Sequence, residues 1–281
     1  MPDANTPVPE LDPERVETVL CDLDGVLWLA HEPVPGAAEA VEALREGGRR
    51  VVFVTNNSVD PVSDQVRALA AIDVAAEGDV VTSAMAAASL VRRGERVLVV
   101  GGHGIVEAVD HAGAIALTVR DAGVPPDAVI VGLDRGVDYP RLSAAATAIR
   151  SGARFIATNT DATFPTPTGP APGGGAIVAA VATAAGVEPT VAGKPHAAMA
   201  QLIGDVVGGA SGFDPATVVM VGDRPETDGL FAGVLGCAFA LVRSGVTRPG
   251  AALPDDVAIA VDVADLAALA EHLAPRAPAP K

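Results

Sequence analysis

Short β-branched runs alternate with alanine- and leucine-rich stretches of helical length along almost the whole chain, and no other feature limits the possible folds so strongly. Strands are predicted at 17–22, 51–55, 79–82, 97–101, 128–132, 154–158, 218–222 and 238–242. Helices are predicted at 36–47, 61–71, 84–93, 140–151, 174–186, 195–207 and 225–235. The central strands are apolar at successive positions, so both of their faces must be covered, as helices on each side of a parallel sheet would do. The expected fold class is therefore α/β, with a Rossmann-like parallel sheet. Aromatic residues make up only 3% of the chain, which leaves the core to alanine, valine, leucine and isoleucine.

A chain of 281 residues accommodates one large domain or two modest ones. The section 96–188 carries its own strand–helix units, with VLVVGG, AVIVGLD and RFIATN as strands. So many elements make a second α/β domain rather than a loop. It is inserted into a first, discontinuous domain formed by 14–95 and 189–272. FPTPTGPAPGGG, at 164–175, reads as the last long loop of the insertion. The ends, 1–13 and 274–281, are expected to be flexible.

Three predicted strands finish in polar clusters: VLCDLDG (19–25), VVFVTNNS (51–58) and VVMVGDRPETD (218–228). In parallel sheets, sites lie beyond the carboxyl ends of the strands. Asp22 and Asp24, one residue apart, repel each other unless one holds a proton or a cation sits between them. Asp223 and Asp228 form a second acidic pair, of the hard-oxygen type that suits Mg²⁺. Asp223 capping a helix, with Glu226 as box partner, is the ordinary alternative. Thr55, Asn56, Asn57 and Ser58 offer hydroxyl and amide donors that can hold phosphate oxygens, or merely close a polar loop. Lys194 stands out because the chain has only two lysines, Lys194 and Lys281, among 19 basic residues. An internal lysine in that background indicates a need for a compact point charge, and Pro195 after it is expected to open a helix.

These pieces add up to phosphoryl transfer. Lysine and a divalent cation balance a phosphate dianion brought toward two carboxylates, and positioning does the rest. One carboxylate can accept the phosphoryl group while the other moves the proton. The formal charge of −16 and pI near 4.5 speak against nucleic acid and anionic membrane as partners. No apolar run has the length of a membrane span, and the acidic, proline-rich N-terminal stretch lacks signal-peptide chemistry. Cys21 and Cys237 lie in apolar runs and read as core residues of a chain kept in a reducing cytoplasm. The five histidines show no metal-ligand spacing, His196 being the one nearest a candidate residue.

In this order, DLDGV (22–26), VTN (54–56), GKP (193–195) and GDRPETD (222–228) resemble the four motifs of the haloacid dehalogenase superfamily of phosphatases. The insertion at 96–188 resembles the large α/β cap of the subgroup containing p-nitrophenyl phosphatase-like, phosphoglycolate and glycerol-3-phosphate phosphatases. The resemblance covers roughly 16–270. It implies that Asp22 is the nucleophile and that Asp24 is the general acid and base, its backbone carbonyl helping to bind Mg²⁺. It further implies that Thr55 and Asn56 hold the phosphoryl group, that Lys194 neutralises it and orients Asp22, that Asp223 ligates the metal together with Asp22, and that Asp228 sits in the metal's outer shell or holds Lys194. Pairing of two copies through the cap is a further implication.

The cap loop 157–169 places Asn159 and Asp161 where they could reach a substrate hydroxyl or carboxylate, or simply hold a turn. Scarce aromatics favour a small phosphorylated metabolite, glycerol 3-phosphate or 2-phosphoglycolate, over a nucleotide or pyridoxal phosphate. Three rival readings are a Gly-rich cofactor fold at VLVVGGHG (97–104), a phosphotransferase or mutase sharing the Asp22 step, and a non-catalytic protein on the same scaffold.

Overall fold

The computed structural model describes residues 11–29, 32–121, 123–166, 169–209 and 212–274. His31, residues 167–168 of the cap loop, and 1–10 and 275–281 of the ends expected to be flexible lie outside the described residues.

In chain order the strands are β1 (Thr18–Cys21), β2 (Trp28–Leu29), β3 (Glu32–Pro33), β4 (Arg50–Thr55), β5 (Val80–Thr82), β6 (Arg96–Val100), β7 (Ile115–Leu117), β8 (Ala128–Val131), β9 (Arg154–Ala157), β10 (Thr163–Thr166), β11 (Gly169–Pro172), β12 (Thr190–Val191), β13 (Val218–Gly222), β14 (Ala238–Val242) and β15 (Val261–Val263). The helices are α1 (Ala37–Glu46), α2 (Val62–Ala70), α3 (Ser83–Ala88), α4 (His103–His111), α5 (Tyr139–Arg150), α6 (Gly174–Ala185), α7 (Ala197–Gly208), α8 (Leu230–Leu235) and α9 (Leu266–Leu273). They fall into two compact units, one reaching to Val54 and including Val66–Val80 and the chain from Ile203 on, the other comprising Thr55–Gln65 and Val81–Leu202.

The first unit is built on a sheet of order β15-β14-β13-β1-β4-β5. β1 runs parallel to β13 on one side and β4 on the other. All four residues of β1 and all five of β13 and of β14 are buried, as the unbroken apolar runs required. The register sets Cys21 against Val221, and the chain beyond β1 continues the pairing when Asp22 N–H donates to the Val221 carbonyl at 2.9 Å. The residues after β1 and after β13 therefore leave the sheet side by side. α1 buries Ala37, Ala40, Val41 and Leu44, and α9 buries Leu266, Leu269 and Leu273.

The second unit has a parallel sheet of order β12-β9-β8-β6-β7. Leu98, Val100, Val129 and Val131 of its strands pack with Ala145, Ile149, Ile177 and Val181 from α5 and α6. α5 opens on Asp138, whose carboxylate accepts the Arg141 N–H at 2.9 Å.

Local expectations fail at three places. The stretch 164–175 is not a long loop: β10 and β11 form an antiparallel hairpin across it, and α6 starts at Gly174. A two-stranded ribbon has two free edges, so its prolines can leave their missing N–H unpaired, which composition alone does not reveal. Pro195 does not open α7, which starts at Ala197 after a cis Lys194–Pro195 bond. The helix expected over 225–235 begins as a wider π-helical turn, Pro225–Gly229, before α8.

Candidate active site

β1 delivers Asp22 and Asp24 to the sheet edge, and β13 delivers Asp223. Beyond β1 the chain turns sharply: the Leu23 carbonyl accepts the Leu27 N–H at 2.9 Å, and Gly25 N–H donates to the Trp28 carbonyl at 2.7 Å. Gly25 adopts φ +87°, and a Cβ there would overlap the Asp223 carboxylate. The same carboxylate fills the space beside Gly245, in the loop after β14. That loop closes over the edge, with the Val246 N–H donating to Asp223 Oδ2 and Ser244 Oγ donating to the Gly25 carbonyl at 2.6 Å. Sequence reasoning missed Ser244, Gly245 and Val246. Their only signal was a Ser-Gly pair just past a buried strand, RSG at 243–245, at the same sheet edge.

Asp228 returns over the edge as well. The wide turn at Pro225–Gly229 brings its Oδ2 within 3.1 Å of the Arg224 N–H, which donates to it. Asp223 is therefore not the helix cap that the ordinary alternative made it. Asp22, Asp223 and Asp228 are all buried, and one carboxylate oxygen from each lies within 4.8 Å of the others. Asp24 is half-buried and its Oδ1 accepts the Trp28 indole N–H at 3.0 Å, which fixes the carboxylate's direction.

Three buried acids this close cannot all remain charged without compensation. Burial, then the charges of Asp228 and Asp22, push Asp223 up to about 7, against the opposing hydrogen bond from Val246. Asp223 Oδ1 is buried with no hydrogen-bond partner among the described residues. An orphaned carboxylate oxygen inside an all-oxygen, all-anionic donor set fits a hard divalent cation.

Thr55, Asn56, Asn159, Asp161 and Lys194 belong to the second unit. Thr55 is buried, and its Oγ1 accepts the Asn57 N–H at 3.0 Å. Asn159 is buried too; its Nδ2 donates to the Asn56 carbonyl at 2.8 Å and its Oδ1 accepts the Asp161 N–H at 3.1 Å. The Asn56 Nδ2 donates to Asp161 Oδ2 at 3.2 Å. Lys194 is buried, unusual for a lysine.

The remaining motifs are structural. In the VLVVGGHG turn the Gly104 N–H donates to the Val59 carbonyl at 2.8 Å, so this turn serves chain packing. Cys21 and Cys237 are buried; the Cys21 thiol donates to the Asp22 carbonyl at 3.2 Å, and burial pushes the Cys237 thiol up to about 12. His196 is half-buried, and desolvation lowers its pKa. No helix among the described residues is long and apolar enough to cross a membrane.

A parallel sheet carrying a buried carboxylate trio at its carboxyl edge defines a cation-assisted enzyme of the doubly wound α/β type. The family profile of haloacid dehalogenase-like hydrolases matches residues 19–115, and a second, HAD-hydrolase-like profile matches 191–269. The chain is 36% identical over 234 residues to a 5′-nucleotidase of Bacillus subtilis, covering 82% of this chain and 88% of that protein. It is 38% identical over 235 residues to a D-glycerol 3-phosphate phosphatase of Mycobacterium tuberculosis, covering 82% of this chain and 64% of the other. A crystal structure of glycerol phosphate phosphatase from M. tuberculosis in complex with magnesium superposes with a TM-score of 0.81 at 32% identity, covering 93% of this chain and 79% of that one. This chain belongs to the haloacid dehalogenase-like hydrolases and is one of their phosphoric monoester hydrolases.

Proposed function

We propose that this chain is a magnesium-dependent phosphatase of small phosphomonoesters, glycerol 3-phosphate or 2-phosphoglycolate, working through an aspartyl phosphate on Asp22. The observation that carries the proposal is the buried trio Asp22, Asp223 and Asp228 with its orphaned Asp223 Oδ1. Bound Mg²⁺ offsets the charge of the trio and of the incoming phosphate. Asp22, Asp223 and the Asp24 carbonyl are the residues that would hold the ion, with Asp228 beside them.

In the first step an Asp22 carboxylate oxygen forms a bond to phosphorus as the bond to the ester oxygen breaks. Asp24, oriented by Trp28, gives its proton to the departing alkoxide. It then takes a proton from the water that attacks the phosphoryl group, releasing inorganic phosphate and restoring the Asp22 carboxylate. The Thr55 hydroxyl and the Asn56 backbone N–H provide hydrogen-bond donors for the phosphoryl oxygens, and the Lys194 ammonium offsets their charge.

A small substrate is favoured by the aromatics of the second unit. Phe155 is buried in its core, and the Arg135 guanidinium lies 5.6 Å from the centre of the Phe164 ring. Phe164 is half-buried, and Tyr139, 83% exposed on α5, is the exposed aromatic among the described residues of that unit. The named activity of the M. tuberculosis relative supports the same choice. The B. subtilis relative's name supports a nucleotide instead, so the decisive experiment is a panel. Phosphate release is measured with Mg²⁺ and with EDTA against glycerol 3-phosphate, 2-phosphoglycolate, sugar phosphates, nucleoside monophosphates and pyridoxal phosphate. A preference for the first two supports the proposal. A preference for nucleotides or pyridoxal phosphate rejects the substrate, and a requirement for an added alcohol acceptor would make the chain a phosphotransferase.

The same proposal includes a cytoplasmic setting, no nucleic-acid or membrane partner, and pairing of two copies through the cap. Sedimentation of the full chain tests the pairing; a monomer at micromolar concentration would reject it.

A further inference from the structure

We propose that the Asn56 side chain is a positioning residue for Lys194, holding that residue by its backbone. Asn56 Oδ1 accepts the Lys194 N–H at 2.9 Å, and Asn56 Nδ2 donates to the Lys194 carbonyl at 3.2 Å. One amide thus reads both polar groups of one residue, as a neighbouring strand would, where β12 has already ended at Val191. The second Nδ2 hydrogen points to the Asp161 carboxylate, 3.2 Å to Oδ2, which fixes which way round the amide lies.

The clamp is itself anchored. The Asn56 carbonyl accepts from Ser83 Oγ at 2.7 Å and from Asn159 Nδ2 at 2.8 Å. On the other side the Gly193 N–H donates to the Thr158 carbonyl at 2.8 Å. A Cβ at Gly193 would lie 2.5 Å from both Asn56 Oδ1 and the Thr158 carbonyl oxygen, so the glycine before Lys194 is what lets the amide approach. A lysine side chain has four rotatable bonds, and placing its ammonium starts with fixing its Cα. Asparagine supplies the acceptor and the donors in one rigid plane at this reach. Aspartate would turn an oxygen toward the Lys194 carbonyl and the Asp161 carboxylate.

This inference rests on the proposed role of the Lys194 ammonium in neutralising the phosphoryl group, so the test uses Lys194 as its reference. Mg²⁺-dependent p-nitrophenyl phosphate hydrolysis is measured for the full chain, Asn56→Ala, Lys194→Met and the double variant. Asn56→Ala is expected to lower kcat by about 10- to 100-fold, with KM and the half-saturating Mg²⁺ concentration changed less than about threefold. In the Lys194→Met background the same substitution is expected to cost less than about threefold, because its target is gone. Asn56→Asp, of the same size, is expected to lose at least as much kcat as Asn56→Ala, and it carries the test if the alanine variant is poorly folded. If Lys194→Met is slow and the Asn56 loss multiplies in full on top of it, the clamp is overturned alone. If Lys194→Met retains full kcat, the lysine's role fails and the clamp with it. An Asn56→Asp enzyme with unchanged kcat also overturns the clamp.

Discussion

Replacing Asp223 with asparagine should stabilise the metal-free protein while destroying its response to Mg²⁺. Asp223 is fully buried, and burial together with Asp228 and Asp22 raises its pKa to about 7 from an ordinary 3.8. Its folded-state pKa lies above its unfolded one, so between those values the folded chain holds a proton that the unfolded chain has lost. Metal-free stability therefore falls as pH rises from about 4 to about 7 and levels off above. Three pH units correspond to about 4 kcal/mol of penalty at pH 8. Asparagine carries no charge and keeps an oxygen for the Val246 N–H, while its Nδ2 can donate toward the neighbouring carboxylates. In EDTA at pH 8 the variant should gain about 2–4 kcal/mol, or roughly 5–10 °C in Tm for a chain of this size. With Mg²⁺ at about 1,000 times its Kd the order should reverse, since the ion then adds about 4.1 kcal/mol to the wild type alone. Scanning calorimetry of both proteins from pH 4 to 8, with EDTA and with Mg²⁺, reads all of this. A variant less stable than wild type in EDTA at pH 8, or a difference that does not grow with pH, would refute the reasoning.

Three further outcomes are expected. Asp22→Asn should abolish turnover, by more than about 10³-fold, with circular dichroism unchanged; clean protein with appreciable activity would exclude Asp22 as nucleophile. Lys194→Arg should lower kcat by at least about tenfold, because a planar guanidinium is wider than the ammonium it replaces in a buried position; full activity would remove the argument from lysine's geometry. Gly25→Ala should destabilise the fold by about 1–3 kcal/mol and weaken Mg²⁺ binding measured by calorimetry, since its φ of +87° and the Asp223 carboxylate both exclude a Cβ.

Much of this could be read from sequence because the strands that matter are buried on both faces. β1, β4, β13 and β14 appear as unbroken apolar runs, and the acids Asp22 and Asp223 mark their ends. What could not be read depends on contacts between distant residues. Glycines at 25 and 245 leave room for one carboxylate near position 223, and the Asn56 amide reaches a backbone 138 residues away. The wide turn that returns Asp228 looks like any helix start in sequence, because its proline and acids are ordinary first-turn residues. The hairpin at 163–172 was hidden by its prolines, which signal a loop everywhere except on a free edge.

The central claim is a covalent one, and acid-quenched mass spectrometry tests it most directly. Enzyme mixed with Mg²⁺ and substrate is stopped within milliseconds, digested and mapped. The account predicts one added phosphoryl group on the peptide containing Asp22, absent from Asp22→Asn and from EDTA-treated protein. Rapid phosphate release with no phosphorylated peptide at any quench time, or with the label on another residue, would contradict it.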